Sequence, residues 1–137
     1  MSSENDGSAY VLDSSALIAL LHGEPGAAKV EASLDGAVIS AVNLGETATK
    51  LIRRGGDPKL VERYLRGMPL QIVPWDEALV WESLDLSPLA WTHGLSFADR
   101  ACLTLARHVD LPALTSDASW KKLEIGVRVV LFRERKS

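Results

Sequence analysis

Residues 10–21 read YVLDSSALIALL, a short apolar run that ends in an acid and leads directly into a second apolar segment. The run before Asp13 is uninterrupted, which is typical of a strand buried on both faces. After Asp13, alanine and leucine recur at helical spacing as far as His22 and Gly23. The segment is therefore predicted to be a strand followed by a helix, with Asp13 at the junction.

The same alternation of short apolar runs and helical patterns continues along the chain. Further strands are predicted at residues 37–39, 70–73, 113–115 and 127–132. Helices are predicted at 25–34, from the second strand to Gly55, from Asp57 to Gly67, from Asp76 onward, and at 96–107. In the last of these, Phe97, Ala101 and Leu105 form one predicted inward-facing stripe. Such alternation predicts a three-layer α/β/α domain with a mainly parallel central sheet of about five strands.

The composition is that of a single globular domain. The chain has 137 residues, of which 47% are hydrophobic and 24% charged, which excludes disordered and fibrous classes. No apolar run approaches the ~18 to 20 residues of a membrane span. The first eight residues lack the pattern of a secretory signal. We expect a flexible tail at 1–8, one domain at 9–137, a cytoplasmic location and no membrane contact.

Charge and cysteine content narrow the range of partners. The net charge of −3 means that a polyanion must be bound locally or through a metal, not by a broad basic face. The single cysteine, Cys102, cannot build a disulfide framework or a thiolate zinc site, and its apolar neighbours predict a core position.

Four acids follow the predicted strands or open the helices behind them. Asp13 and Asp117 come after strands, whereas Glu46 and Asp99 lie in the first turns of helices. Because the carboxyl ends of parallel strands meet at one edge, we expect these acids to converge there. Clustered carboxylates repel one another unless a divalent cation balances them, and oxygen ligands favour Mg²⁺ or Mn²⁺.

Each acid also has an ordinary structural explanation. Asp13 and Asp117 fit helix N-caps, and residues 43–46 and 96–99 have the spacing of capping boxes. Any one of these acids alone is more readily explained as a cap, whereas the joint pattern favours a cation site. The two roles are compatible, since helix N-termini favour negative charge.

Four short motifs run through the domain: VLDSSAL at 11–17, NLGE at 43–46, GLSFAD at 94–99 and LTSD at 114–117. In this order they resemble the PIN-domain ribonucleases and, more narrowly, the VapC-type toxins of type II toxin-antitoxin systems. The resemblance implies a Mg²⁺- or Mn²⁺-dependent endoribonuclease. The implied catalytic and metal-binding residues are Asp13, Glu46, Asp99 and Asp117, with Ser14 and Thr115 as supporting polar groups.

The resemblance also implies partners: an RNA substrate, a cognate antitoxin protein and a second copy of the chain in a homodimer. The basic residues nearest the acidic motifs are Arg100, Lys121 and Lys122, which we regard as candidate RNA contacts. Some family members carry a further acid after the last one, where this chain has Ala118, Ser119 and Trp120, so the number of metal ions is left open.

Two alternatives remain at this stage. A non-enzymatic, receiver-like signalling domain would also bind Mg²⁺ at the strand edge, but it usually has adjacent acids where Ser14 and Ser15 follow Asp13. A PIN-like RNA-processing nuclease that is not a toxin would keep the same acids.

Overall fold

The computed structural model describes residues 9–134, and the predicted flexible tail at 1–8 lies outside them. Within the described residues, the strands are β1 (Val11–Leu12), β2 (Val38–Ser40), β3 (Gln71–Val73), β4 (Ala113–Thr115) and β5 (Val129–Leu131). The α-helices are α1 (Ser14–His22), α2 (Ala27–Ala32), α3 (Ala41–Arg53), α4 (Pro58–Arg66), α5 (Glu77–Glu82), α6 (Leu89–Thr92) and α7 (Phe97–Val109). Short 3-10 turns follow at Ser83–Leu86 and Ala118–Lys122.

The strands form one sheet in the order β3-β2-β1-β4-β5, and every neighbouring pair is parallel. The central strand is β1, in which Val11 is in register with Val38 of β2 and with Ala113 of β4. The predicted parallel sheet of five strands is therefore confirmed. Because the strands run in one direction, the carboxyl ends of β1, β2 and β4 open on the same edge of the domain.

Both faces of the sheet are covered, since successive side chains of a strand point to opposite sides. Val11 packs in a cluster with Leu103 and Leu105 of α7, whereas Leu12 packs with Ala16 of α1. Helices α1–α4 therefore cover one face and α7 the other, which confirms the predicted three layers. Cys102 is fully buried in the α7 cluster, as its apolar neighbours predicted.

None of the helices within residues 9–134 has both the length and the apolar character that crossing a membrane requires.

The capping predictions are confirmed at α1 and α7 and wrong at α3. Asp13 caps α1, and Ser96 and Asp99 form a capping box at the start of α7. The predicted capping box at 43–46 is absent, because β2 runs into α3 without a loop and Ser40 is the cap. The Ser40 hydroxyl accepts from the amide of Val42 at 3.1 Å, which places residues 43–46 inside the helix.

The predicted inward stripe of α7 is wrong at its first position. Ala101 and Leu105 are fully buried, but Phe97 is 52% exposed. Phe97 is the first residue of the helix, where the chain enters from a loop, and its ring lies against Trp75. The helical spacing of apolar residues can continue to the end of a helix. It does not show where the contact of that helix with the core ends.

Gly26 joins α1 to α2 at a point of close contact with the end of the sheet. Its φ of 91° is in the left-handed region. An added Cβ would lie 2.6 Å from the carbonyl oxygen of Phe132, which is backbone and cannot rotate away.

We expect Gly26→Ala to destabilise the fold by more than about 2 kcal/mol, since the left-handed backbone alone costs an alanine about 1–2 kcal/mol and the contact with Phe132 adds to it. Gly23→Ala is the matched control, because Gly23 also has a positive φ but open space around it. Urea unfolding of both variants measures the difference. Equal losses of stability would contradict the packing role of Gly26.

Candidate active site

The carboxyl edge of the sheet carries a small polar pocket of about 210 Å³. Its lining includes all four predicted acids and both predicted supporting residues: Asp13, Glu46, Asp99, Asp117, Ser14 and Thr115. The ends of β1 and β4 supply Asp13 and Asp117, while the second turn of α3 supplies Glu46 and the first turn of α7 supplies Asp99. Four separate elements therefore place their acids in one pocket.

Asp13 is the most enclosed of these acids, with 7% of its surface exposed. Its Oδ1 accepts from the Ser15 hydroxyl at 2.6 Å and from the Ala16 amide at 3.0 Å. Its Oδ2 accepts from the Thr115 hydroxyl at 2.5 Å. Burial nevertheless raises the pKa of Asp13, and repulsion from Asp99 raises it further. The hydrogen bonds fix the carboxyl group in place without fully compensating its charge.

The pKa of Asp99 reflects both its burial and the repulsion among the acids of the pocket. Its Oδ2 accepts from the Ser96 amide at 2.9 Å in the capping box. Burial is the main cause that raises the pKa of Asp99, and the charges of Asp117 and Glu46 raise it as well. The thiol pKa of Cys102 is raised well above its usual range, mainly by burial and also by the charges of Asp13, Asp99 and Glu46.

Glu46 is held from two directions. Its Oε1 accepts from the Ser14 hydroxyl at 2.5 Å. Its Oε2 lies 3.8 Å from Nζ of Lys50, one helical turn further along α3. Lys50 also lines the pocket and is the one cationic lining residue within residues 9–134. Its spacing of four residues from Glu46 is the sequence signal that indicates this position.

Asp117 and Asp13 are linked through Thr115. The Thr115 hydroxyl donates to Asp13 and accepts from the amide of Asp117 at 3.1 Å. Asp117 caps the following 3-10 turn, because its Oδ1 accepts from the amide and hydroxyl of Ser119 at 3.0 and 2.6 Å. The cap role predicted for Asp117 thus coexists with its place in the pocket.

Two further polar residues that the sequence did not single out for the site organise it. The Ser15 hydroxyl donates to Asp13 and accepts from the amide of Ser116 at 3.2 Å, which joins α1 to the end of β4. Asn43 is 1% exposed, and its Nδ2 donates to the carbonyl of Ala98 at 3.0 Å. This bond holds the first turns of α3 and α7 together. The sequence indicates these roles only by position: Ser15 lies within the VLDSSAL motif and Asn43 within the NLGE motif.

The donor set suits a hard divalent cation. The anionic side chains of the pocket are carboxylates, and among the residues that the structure describes neither histidine nor cysteine lines it. No hydrogen bond from residues 9–134 reaches Oδ1 of Asp99 or Oδ2 of Asp117, so each has one oxygen open to a ligand. In the part of the chain described, no three His, Cys, Asp or Glu side chains are grouped closely enough to hold an ion as they stand.

The three basic residues predicted to contact RNA lie in different places. Arg100 is on α7 beside Asp99, just outside the pocket lining. Lys121 lies in the 3-10 turn after Asp117 and lines a separate cavity along β5. Lys122 is exposed on the same turn. Arg100 is thus the nearest in sequence to a pocket acid.

The fold and the pocket define a parallel α/β domain with a carboxylate cluster at its carboxyl edge. The family model of the PIN domain matches residues 10–126. The chain therefore belongs to the PIN domain family, as its motifs predicted.

Solved structures share this fold at low sequence identity. A toxin-antitoxin complex from Klebsiella pneumoniae matches with a TM-score of 0.72 and 20% identity, over 93% of this chain and 100% of that chain. A DNA-bound VapBC from Salmonella typhimurium matches with a TM-score of 0.71 and 13% identity, over 92% and 99%. The sarcin-ricin loop cleaving toxin VapC20 from Mycobacterium tuberculosis matches with 0.69 and 19%, over 88% and 99%. Comparison with curated protein sequences gives no match.

We expect Asp99→Asn to raise the melting temperature of the metal-free protein at neutral pH. The pKa of Asp99 is higher in the folded protein than its ordinary 3.8, so the folded state binds this proton more tightly than the unfolded chain. Stability is therefore lost as the pH rises from 3.8 through the raised pKa. The asparagine removes that loss and keeps an oxygen for the Ser96 amide.

The gain in melting temperature of Asp99→Asn is measured by thermal unfolding in EDTA. It should be absent at a pH below the ordinary pKa of aspartate and complete at neutral pH. Asp76→Asn is the control, because Asp76 also accepts from a backbone amide at the start of a helix, that of Leu79 at 3.1 Å as the N-cap of α5, but lies outside the pocket. A lower melting temperature for Asp99→Asn at neutral pH would contradict the repulsion.

Proposed function

We propose that the protein is a metal-dependent endoribonuclease that hydrolyses RNA phosphodiester bonds and acts as the toxin of a toxin-antitoxin pair. The observation that carries the proposal is the convergence of four acids, from four separate elements, on one polar pocket. Membership of the PIN domain family and the similarity of the fold to VapC toxins support it.

The residues that would hold Mg²⁺ or Mn²⁺ are Asp13, Asp99 and Asp117, with Glu46 as a further ligand or as the group that orients the attacking water. When bound, the ion would polarise a phosphoryl oxygen and lower the pKa of a bound water. The raised pKa values of Asp13 and Asp99 support this assignment, because an adjacent cation would favour their ionised forms.

The side chains of this chain supply position and charge. Asp13 is held by three hydrogen bonds, so its orientation is set before substrate binds. Glu46 is held by Ser14 and by Lys50, which leaves its carboxylate facing the pocket for a water molecule. Lys50 is the pocket cation placed to neutralise a phosphate oxygen. Hydrolysis by water activated there would leave 5′-phosphate and 3′-hydroxyl ends.

The toxin role is the part of the proposal that depends on the solved structures. A PIN nuclease that processes RNA would use the same pocket, but the similar structures are toxins and toxin-antitoxin complexes that this chain matches over nearly its whole length. The receiver-like alternative finds no support in the family match. A cytoplasmic location and a homodimer belong to the same proposal.

A cognate antitoxin is the proposed protein partner. The surface we assign to it is an apolar groove of about 1080 Å³ between the ends of α1, α3 and α4. Leu60 and Tyr64 of α4 line the groove and are exposed, although they are large apolar side chains. Such surface favours an apolar segment of another protein.

We expect Glu46→Gln to lower the rate of RNA cleavage by about 10²–10⁴-fold, because the amide cannot take a proton from the attacking water. The matched control is Glu62→Gln, since Glu62 also pairs with a cation four residues later, Arg66 at 2.7 Å, but lies on α4. Initial rates with Mn²⁺ and with EDTA, with mapping of the product ends, test the assignment. A Glu46→Gln variant as active as Glu62→Gln would rule it out.

A further inference from the structure

An aromatic pair, exposed at Phe97 and half-buried at Trp75, lies at the start of α7. Phe97 is the first residue of the helix and is 52% exposed. Trp75, which follows β3, contacts it edge to face, with ring centroids 5.7 Å apart and an angle of 87° between the rings. The buried cores include neither ring, so the fold itself does not account for an aromatic residue at position 97.

A cation without a counter-charge accompanies this pair. The guanidinium carbon of Arg100 lies 5.8 Å from the centre of the Phe97 ring. Its Nε donates to the carbonyl of Ser96 at 3.3 Å, and its Nη1 lies 3.4 Å from the hydroxyl of Ser87. Among residues 9–134 no carboxylate forms an ion pair with Arg100. Most of its five N–H donors are therefore available to a ligand.

Phe97 and Arg100 lie outside the pocket lining but on the helical turn that carries one of its acids, Asp99. Phe97, Asp99 and Arg100 share the first turn of α7, so their backbones lie within about 5 Å along the helix axis. The capping box fixes this turn, and the bond from Asn43 to the carbonyl of Ala98 fixes it against α3. The ring and the guanidinium are thus held at a constant distance from the acids.

We propose that Phe97, Trp75 and Arg100 form a subsite for the nucleotide next to the cleaved phosphate, with its base stacked on the aromatic pair and its phosphate bound by Arg100. The subsite rests on the proposed function. Bases of any sequence present a flat face to an aromatic ring, and arginine binds phosphate through paired N–H groups. An apolar protein surface fits less well, because it would bury Arg100 without a counter-charge.

The experiment compares the cleavage kinetics of Phe97→Leu and wild type on a fluorescent single-stranded RNA. Leucine keeps an apolar side chain at this position and removes the ring. We expect KM to rise about tenfold or more, with a smaller change in kcat, because base stacking contributes to binding. Trp91→Leu is the control, since Trp91 is 82% exposed on α6 and outside the pair, and its KM should be unchanged. Arg100→Gln should raise KM and weaken its salt dependence.

A second substrate tests the base contact itself. In an RNA with abasic positions flanking the cleaved bond, wild type and Phe97→Leu should have equal KM. A wild-type KM for Phe97→Leu on intact RNA, or an undiminished difference on abasic RNA, would overturn the subsite. So would sedimentation in which Phe97→Leu converts a dimer to a monomer, because the ring would then belong to a protein interface. Failure of the wild type to cleave any RNA would instead overturn the proposed function, and the subsite with it.

Discussion

The enclosed Asp13 carboxylate is the constraint on which the arrangement of the site depends. It follows the central strand β1, so its position is set by the parallel strands on both sides. Burial and the neighbouring Asp99 raise its pKa even though three hydrogen bonds stabilise its charge. A positive charge close to Asp13 would favour its ionised form, and Lys50, the cation that lines the pocket within residues 9–134, is paired with Glu46.

The architecture could be predicted from the sequence because the three central strands, β1, β2 and β4, are buried on both faces. Their uninterrupted apolar runs contrast with the amphipathic helices between them, and the parallel order places every acid that follows a strand on one edge. Helix caps and side-chain burial were harder to predict at the junctions between elements. Ser40 ends β2 and also caps α3. Residues 43–46 have the spacing of a capping box, and this spacing alone does not show that the helix begins earlier, after Ser40. Phe97 followed the helical stripe but lies beyond the core.

The acids of the site could be predicted, but not the contacts that hold them. Thr115 reaches Asp13 across 102 residues, and Asn43 reaches Ala98 across 55. These bonds depend on how β4 and α7 pack against β1 and α3, which is a property of the tertiary structure. The same limit applies to the basic residues: Arg100 lies beside Asp99, whereas Lys121, four residues after Asp117, lines a different cavity. Closeness in sequence does not show on which side of the domain a side chain lies.

Mn²⁺ binding measured by thermal unfolding tests most directly whether the clustered acids form a cation site. The account predicts that Mn²⁺ raises the melting temperature of the wild type, since a ligand at one hundred times its Kd stabilises the folded state by ~2.7 kcal/mol. It also predicts that Asp13→Asn loses most of that shift, whereas Asp76→Asn keeps it. An absent shift at millimolar Mn²⁺, or an equal shift in both variants, would contradict the account.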